Sequence, residues 1–205
     1  MTRGNPKQPP GDINSRSVLL SPVHGRFIRC ADAKRPLVDW DERVTSRFSS
    51  PGLPVLYLAA DWQTAFYEVY GDNLLDMLPE DRAIALTDLE SRVWVEFNLI
   101  DDLQVLNVTE SARQREIGAD GSTFKADYTV TQPWAKALRS HPVSMDGLQY
   151  QSRLDDPRRC LAVFGAKKFV DQGENLFSPR AIGRLSDDVQ LLYWLLHSEK
   201  IAVKS

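Results

Sequence analysis

The chain has 205 residues, with 25 Lys and Arg against 28 Asp and Glu for a formal charge of −3, and 42% of its residues are hydrophobic. A single domain of that length buries roughly 70% of the surface its unfolded form exposes. No run approaches the ~20 apolar residues of a membrane span, Met1 to Asn14 carries no apolar leader, and no basic block offers a footprint for nucleic acid. A cytoplasmic protein with neither membrane nor nucleic acid as a direct partner is expected. Cys30 and Cys160 form neither C-x-x-C nor a zinc spacing, and His24, His141 and His197 include no metal-binding pair. Reduced, buried thiols and no metal are expected.

Residues 1–14 are rich in Pro, Gly and Lys and are expected to form a flexible tail, with 15–205 as one domain. Arg26 to Cys30 reads as a short strand with its arginines pointing outward. Val55 to Ala59 is a clearer strand, a β-rich run set between Pro54 and Asp61. Asp61 caps a helix over Trp62 to Tyr70, which Gly71-Asp72 closes, with a further turn over Asn73 to Met77. Strands follow at Arg82 to Leu86, Val93 to Leu99 and Val105 to Val108. Residues 109–125 read as a loop with a short helix.

Thr131, with Pro133 in the first turn, is expected to open a helix that runs to Ser140. Asp146-Gly147 is a turn signal before a strand at Leu148 to Ser152, and another strand follows at Cys160 to Phe164. The pattern resumes at Lys168 to Val170. Ser186 to Asp188 caps a last amphipathic helix with Val189, Leu191, Leu192, Leu195 and Leu196 facing inward. Strands dominate the centre and helices fall at the margins without strict alternation. The pattern predicts an α+β domain with a central mixed or antiparallel sheet and peripheral helices.

No Gly-rich phosphate loop and no G-x-S-x-G elbow is present. Three local features remain: Arg47 before the Pro51-Gly52 turn, Tyr57 with Glu68 on the following helix, and Tyr150-Gln151-Ser152-Arg153 at a strand end. Each has an ordinary structural reading. Arg47 could cap a loop or make a surface ion pair, and Tyr57 could be a core ring. Glu68 lies at the edge of its helix's buried stripe, where a solvent-exposed side chain is the default, and Ser152 alone signals nothing.

Taken jointly, Arg47-Phe48, Leu56-Tyr57-Leu58-Ala59, Thr64-Ala65, Glu68, and much later Gly147-Leu148 and Tyr150-Gln151-Ser152-Arg153, resemble the RES-domain family over about Phe27 to Phe164. The resemblance implies a fold similar to ADP-ribosyltransferases of the diphtheria-toxin type and consumption of NAD+. It also implies a toxin, cleaving NAD+ by phosphorolysis or hydrolysis and neutralised by a Xre-like antitoxin with which it forms a complex. Arg47, Glu68 and Ser152 match the family's arginine, glutamate and serine and are the catalytic candidates. Arg29, Arg47, Tyr57, Glu68, Tyr150 and Ser152 are the NAD+-binding candidates, with Ile28 standing beside Arg29 where an aromatic is usual. The resemblance implies no permanently bound cofactor, NAD+ as substrate and inorganic phosphate as a candidate co-substrate. A protein ADP-ribosyltransferase, or an inactive binding module of the same fold, are the alternatives, and delivery to another cell as an effector stays open.

The chemistry suits these residue types. Cleaving the nicotinamide–ribose bond develops positive charge on the sugar, which a nearby carboxylate stabilises. Guanidinium forks match pyrophosphate oxygens.

Overall fold

Two long strands carry the sheet in this computed structural model, which describes residues 8–40, 45–154, 158–165 and 177–205. β1 (Ser21–Asp32) pairs antiparallel with β4 (Arg92–Asn107) from Ser21↔Val105 to Asp32↔Arg92. The sequence pattern splits β4 into two strands because Asp101 and Asp102 interrupt it. The structure instead carries the chain through, absorbing the polar residues in a register shift between Val23 and Gly25.

The remaining strands are β2 (Val55–Ala59), β5 (Gly147–Gln151), β6 (Arg159–Phe164) and β7 (Pro179–Arg184). β2 pairs with β6, β6 with β5, and β5 with β4, which also pairs with β1 and β7, and a short β1–β2 pairing completes the arrangement. Within this sheet, among the described residues, β4 and β5 are the parallel neighbours, as they can be because the long connection between them holds two helices, α3 (Ser111–Ile117) and α4 (Tyr128–Arg139). A small separate pair joins β3 (Ala83–Ala85) to β8 (Ala202–Lys204), and α2 (Leu86–Glu90) follows β3 directly. The domain is α+β with a mixed sheet, as its pattern predicts.

Both faces of the sheet are covered. Leu56, Leu58, Val95, Phe97, Leu161, Val163 and Phe177 fill one core, while Phe66, Leu106, Trp134, Leu148 and Tyr150 belong to the other. This explains why β6 reads as a continuous apolar run and not as an alternating one. Helix α1 (Trp62–Leu75) packs on the second core, with Asp61 accepting from the Thr64 amide as its cap. It continues past Gly71, where the missing side chain makes room for Leu154: a Cβ there would sit 3.0 Å from the leucine's Cδ1.

Four further expectations change. Arg26 and Arg29 are three apart on a strand and so cannot share a face; Arg26 is exposed and bonds Glu96 at 3.2 Å, whereas Arg29 turns inward. Helix α4 begins at Tyr128, capped by Asp127, which leaves Thr131 and Pro133 inside it. Proline there removes a donor to the Thr129 carbonyl, and the Gln8 side-chain amide supplies one at 3.1 Å. In the last helix, α5 (Val189–Trp194) with its π-helical extension Leu195–Glu199, Leu191 and Leu195 are buried one turn apart. Val189 and Leu196 are exposed, because neither lies on that stripe. The run Lys168 to Val170 lies outside the described residues, as do residues 1–7 of the expected tail. Ile13, by contrast, packs into the core. No helix among the described residues is long and apolar enough to cross a membrane.

Gly147 lies at the start of β5 beside β6, and a Cβ there would lie 2.2 Å from the Ala162 carbonyl oxygen. Gly147→Ala is therefore expected to lower stability by about 2–3 kcal/mol, read from the midpoint of denaturant unfolding; an unchanged midpoint would show that the strands can separate freely.

Candidate active site

β1 and β2 meet through the pair Ile28↔Ala59 and then part. Between the diverging strands opens a cavity of about 290 Å³, whose walls include Arg29, Arg47, Tyr57, Glu68, Arg92 and Tyr150. A second cavity of about 410 Å³ shares Arg29, Tyr57 and Arg92 with the first. The two form one cleft with arginines where they join.

One wall is built on Glu68. Tyr150 and Ser152 are two apart at the end of β5, so both hydroxyls project to the same face, the one that α1 covers. Tyr150 Oη donates to Glu68 Oε2 at 3.1 Å, and Ser152 Oγ donates to Oε1 at 2.7 Å. The Leu154 amide in turn donates to Ser152 Oγ at 3.2 Å. Burial raises Tyr150 well above the ordinary phenol range, so its proton stays in place as a donor. The carboxylate is half-buried, not solvent-exposed as helix position alone suggests, because these two hydroxyls draw it inward. Ser152 is fully buried and lies behind Glu68, not among the residues lining the cavity. A direct contact between Ser152 and a ligand is therefore not what this geometry offers; it positions the carboxylate.

The facing wall is cationic. Arg47 lies 5.4 Å from the Tyr150 ring centroid and 5.9 Å from that of Phe48. Its Nη1 is buried without a hydrogen-bond partner, and so is Nη1 of Arg29. Burial pulls Arg29 below the ordinary arginine range, partly opposed by Asp39, yet a guanidinium stays charged in a protein. Arg92, which sequence reasoning missed, opens β4 opposite Asp32 and lines both cavities. An arginine at a strand start carries no local signal; the cross-strand register alone brings it here.

Tyr57 offers its ring to the cavity while its hydroxyl is engaged elsewhere. It accepts from the Phe48 amide at 2.8 Å and bonds Ser46 Oγ at 2.7 Å. Cys30 and Cys160 complete the wall as free, buried thiols. Burial pushes Cys30 up to about 12 and Cys160 higher still, so both present neutral sulfur. Among the described residues no group of three or more His, Cys, Asp or Glu is placed to hold a metal ion. The structure thus brings Arg29, Arg47, Tyr57, Glu68, Tyr150 and Ser152 to one place, five of them on the cavity wall.

The class is an α+β domain whose sheet opens on a cleft that holds a hydrogen-bonded carboxylate and buried guanidinium groups. The chain belongs to the RES domain family, whose model matches residues 26–180. Its fold is similar to that in the crystal structure of the M. tuberculosis MbcT–MbcA toxin–antitoxin complex, with a TM-score of 0.57 and 18% identity over 83% of this chain and 89% of that one. A comparison with curated protein sequences gives no match.

The thiol environment has a direct consequence. In the folded protein at pH 8, neither cysteine is expected to react with iodoacetamide at a measurable rate, and both are expected to react after unfolding in denaturant. Rapid native labelling of either, followed by mass spectrometry, would contradict the buried, protonated state.

Proposed function

We propose that this protein is an NAD+-degrading toxin that cleaves the nicotinamide–ribose bond and is neutralised by a separate, Xre-like antitoxin. The observation that carries this reading is the pairing of the Glu68 carboxylate with two buried, unpartnered guanidinium nitrogens across one cavity. Unpaired buried donors are costly, and a ligand with phosphate oxygens relieves that cost. Family membership and the similarity to a toxin–antitoxin structure support the toxin role and the existence of a protein partner.

In the proposed mechanism, Arg29 and Arg47 hold the pyrophosphate, with Arg92 adding positive charge where the cavities join. The Tyr57 ring stacks on nicotinamide. The bond from ribose C1′ to the nicotinamide nitrogen breaks with its electron pair passing to the ring, which leaves as neutral nicotinamide. Glu68, oriented by Tyr150 and Ser152, stabilises the oxocarbenium charge left at C1′. Water or inorganic phosphate then forms the new bond to C1′, releasing its proton to solvent. The product is ADP-ribose in the first case and its 1-phosphate in the second.

Purified protein is expected to release nicotinamide from NAD+, and initial rates with and without phosphate decide the acceptor. Glu68→Gln, which keeps the side chain's shape, is expected to lower kcat by about 10²–10³-fold with the melting temperature unchanged. Turnover by Glu68→Gln at the parent rate would remove the carboxylate from the mechanism. Label transferred from NAD+ to protein in a lysate would replace it with protein ADP-ribosylation. Arg47→Lys, which substitutes a point charge for a planar fork, is expected to raise KM about tenfold; an unchanged KM would take Arg47 off the substrate.

A further inference from the structure

Arg47 lies outside the strands of the sheet, in a described loop from residue 45 to Pro54, and its guanidinium Nη1 has no hydrogen-bond partner. The Tyr150 and Phe48 rings lie against the guanidinium, and the backbone that carries it is held separately. Helix α4 does this from outside the cavity. Gln132 Nε2 donates to the Ser46 carbonyl at 2.8 Å, and Thr131 Oγ1 donates to the Arg47 carbonyl at 2.6 Å. Further along the loop, Arg139 Nη2 donates to the carbonyls of Leu53 and Pro54 at 3.1 and 2.7 Å. Gln132 and Arg139 are seven apart, two turns along one stripe of the helix. On the loop's other side, the Phe48 amide donates to Tyr57 Oη at 2.8 Å. The peptide groups on both sides of Arg47 are therefore held between α4 and β2.

Thr131 is the informative member. A threonine inside a helix commonly returns its hydroxyl to the carbonyl four residues back. Here the Asp127 carbonyl lies at 3.1 Å, but the shorter contact is the one to Arg47. Thr131 is fully buried, so this hydroxyl has no solvent to turn to.

We propose that Thr131 and Gln132 are positioning residues that preorganise Arg47 for the anionic part of the substrate. They act through the backbone of Ser46 and Arg47 and do not touch the ligand. The claim rests on the NAD+-cleaving reading for its kinetic consequence. An arginine that grips pyrophosphate contributes about equally before and during bond cleavage, so loosening it raises KM and leaves kcat nearly untouched.

The test compares Thr131→Val, Thr131→Ser and Gln132→Leu with the parent in nicotinamide release. Thr131→Val and Gln132→Leu are each expected to raise the KM for NAD+ by about tenfold with kcat within about twofold, the size of one lost hydrogen bond. Thr131→Ser, which keeps the hydroxyl, is expected to restore the parent KM. An unchanged KM in Thr131→Val and Gln132→Leu, or a Thr131→Ser variant as impaired as Thr131→Val, would overturn the proposal. Gln132→Leu, at a partly exposed position, keeps the test open if Thr131→Val fails to fold. Amide hydrogen exchange of Phe48 supplies a readout free of activity: faster exchange in Thr131→Val than in the parent supports the anchoring, and equal exchange contradicts it. A parent that releases no nicotinamide would sink the functional reading alone, and the exchange comparison would still decide the positioning claim.

Discussion

Where β1 and β2 separate after Ile28↔Ala59, the sheet gives up pairing that neighbouring strands would ordinarily share, and the space is filled by charge in place of backbone contact. Arg29 and Arg47 both place a guanidinium nitrogen out of reach of water and of any partner. Such groups destabilise the unliganded fold, each by about 1–3 kcal/mol. The structure tolerates them because the strands on either side of the gap are held elsewhere. β1 is paired along nearly its whole length with β4, and β2 along its whole length with β6. The cleft is thus a gap between two strands each paired on its other side, and its unmet hydrogen-bonding capacity is directed at whatever enters.

Hydroxyl groups do much of the positioning. Tyr150 and Ser152 hold Glu68, Tyr57 holds the Phe48 amide, and Thr131 holds the Arg47 carbonyl. None of these bonds involves a charged donor, so Glu68 is held by two neutral hydroxyls and keeps its charge uncompensated by them. The result is that Glu68 and Arg47 meet different parts of the Tyr150 side chain, one its hydroxyl and one its ring, and no direct ion pair between them is needed to place either. An ion pair would have quenched both charges; the shared tyrosine keeps them available.

Much of this fold was legible in the sequence where the signal was local. Strand Val55–Ala59 and the Asp61 cap appear as expected, because a β-rich run between prolines and a carboxylate before a helix act within a few residues. The errors fall where tertiary contacts override local chemistry. Asp101 and Asp102 look like a strand break but fall in the register shift of a ladder that pairs β4 with β1 on both sides of them. Thr131 looks like a cap, yet it is buried in the helix and bonded to a residue 84 positions away. The candidate site came from joint resemblance and not from any single residue: Arg47, Glu68 and Ser152 are each unremarkable in isolation. Arg92 and Gln132 carried no signal, since what brings them to the site is register in one case and helix phase in the other.

The electrostatics of the cleft run against those of the chain. The formal charge is −3, yet Arg29, Arg47 and Arg92 line one connected space, and the two thiols that share its wall are held protonated by burial. Thiolates there would have neutralised the arginines and repelled an anion. Keeping the sulfurs neutral leaves Glu68 as the negative group shared with the guanidinium wall of the first cavity, apart from Asp72, which Arg153 pairs at the rim. On the proposed reading, a ligand drawn in by its phosphates meets the Glu68 carboxylate on the wall of the same cavity that carries Arg29, Arg47 and Arg92, while Asp32 and Asp39 lie in the second cavity. That juxtaposition is what a reaction needs if it must bind negative charge at one point of a molecule and develop positive charge at another.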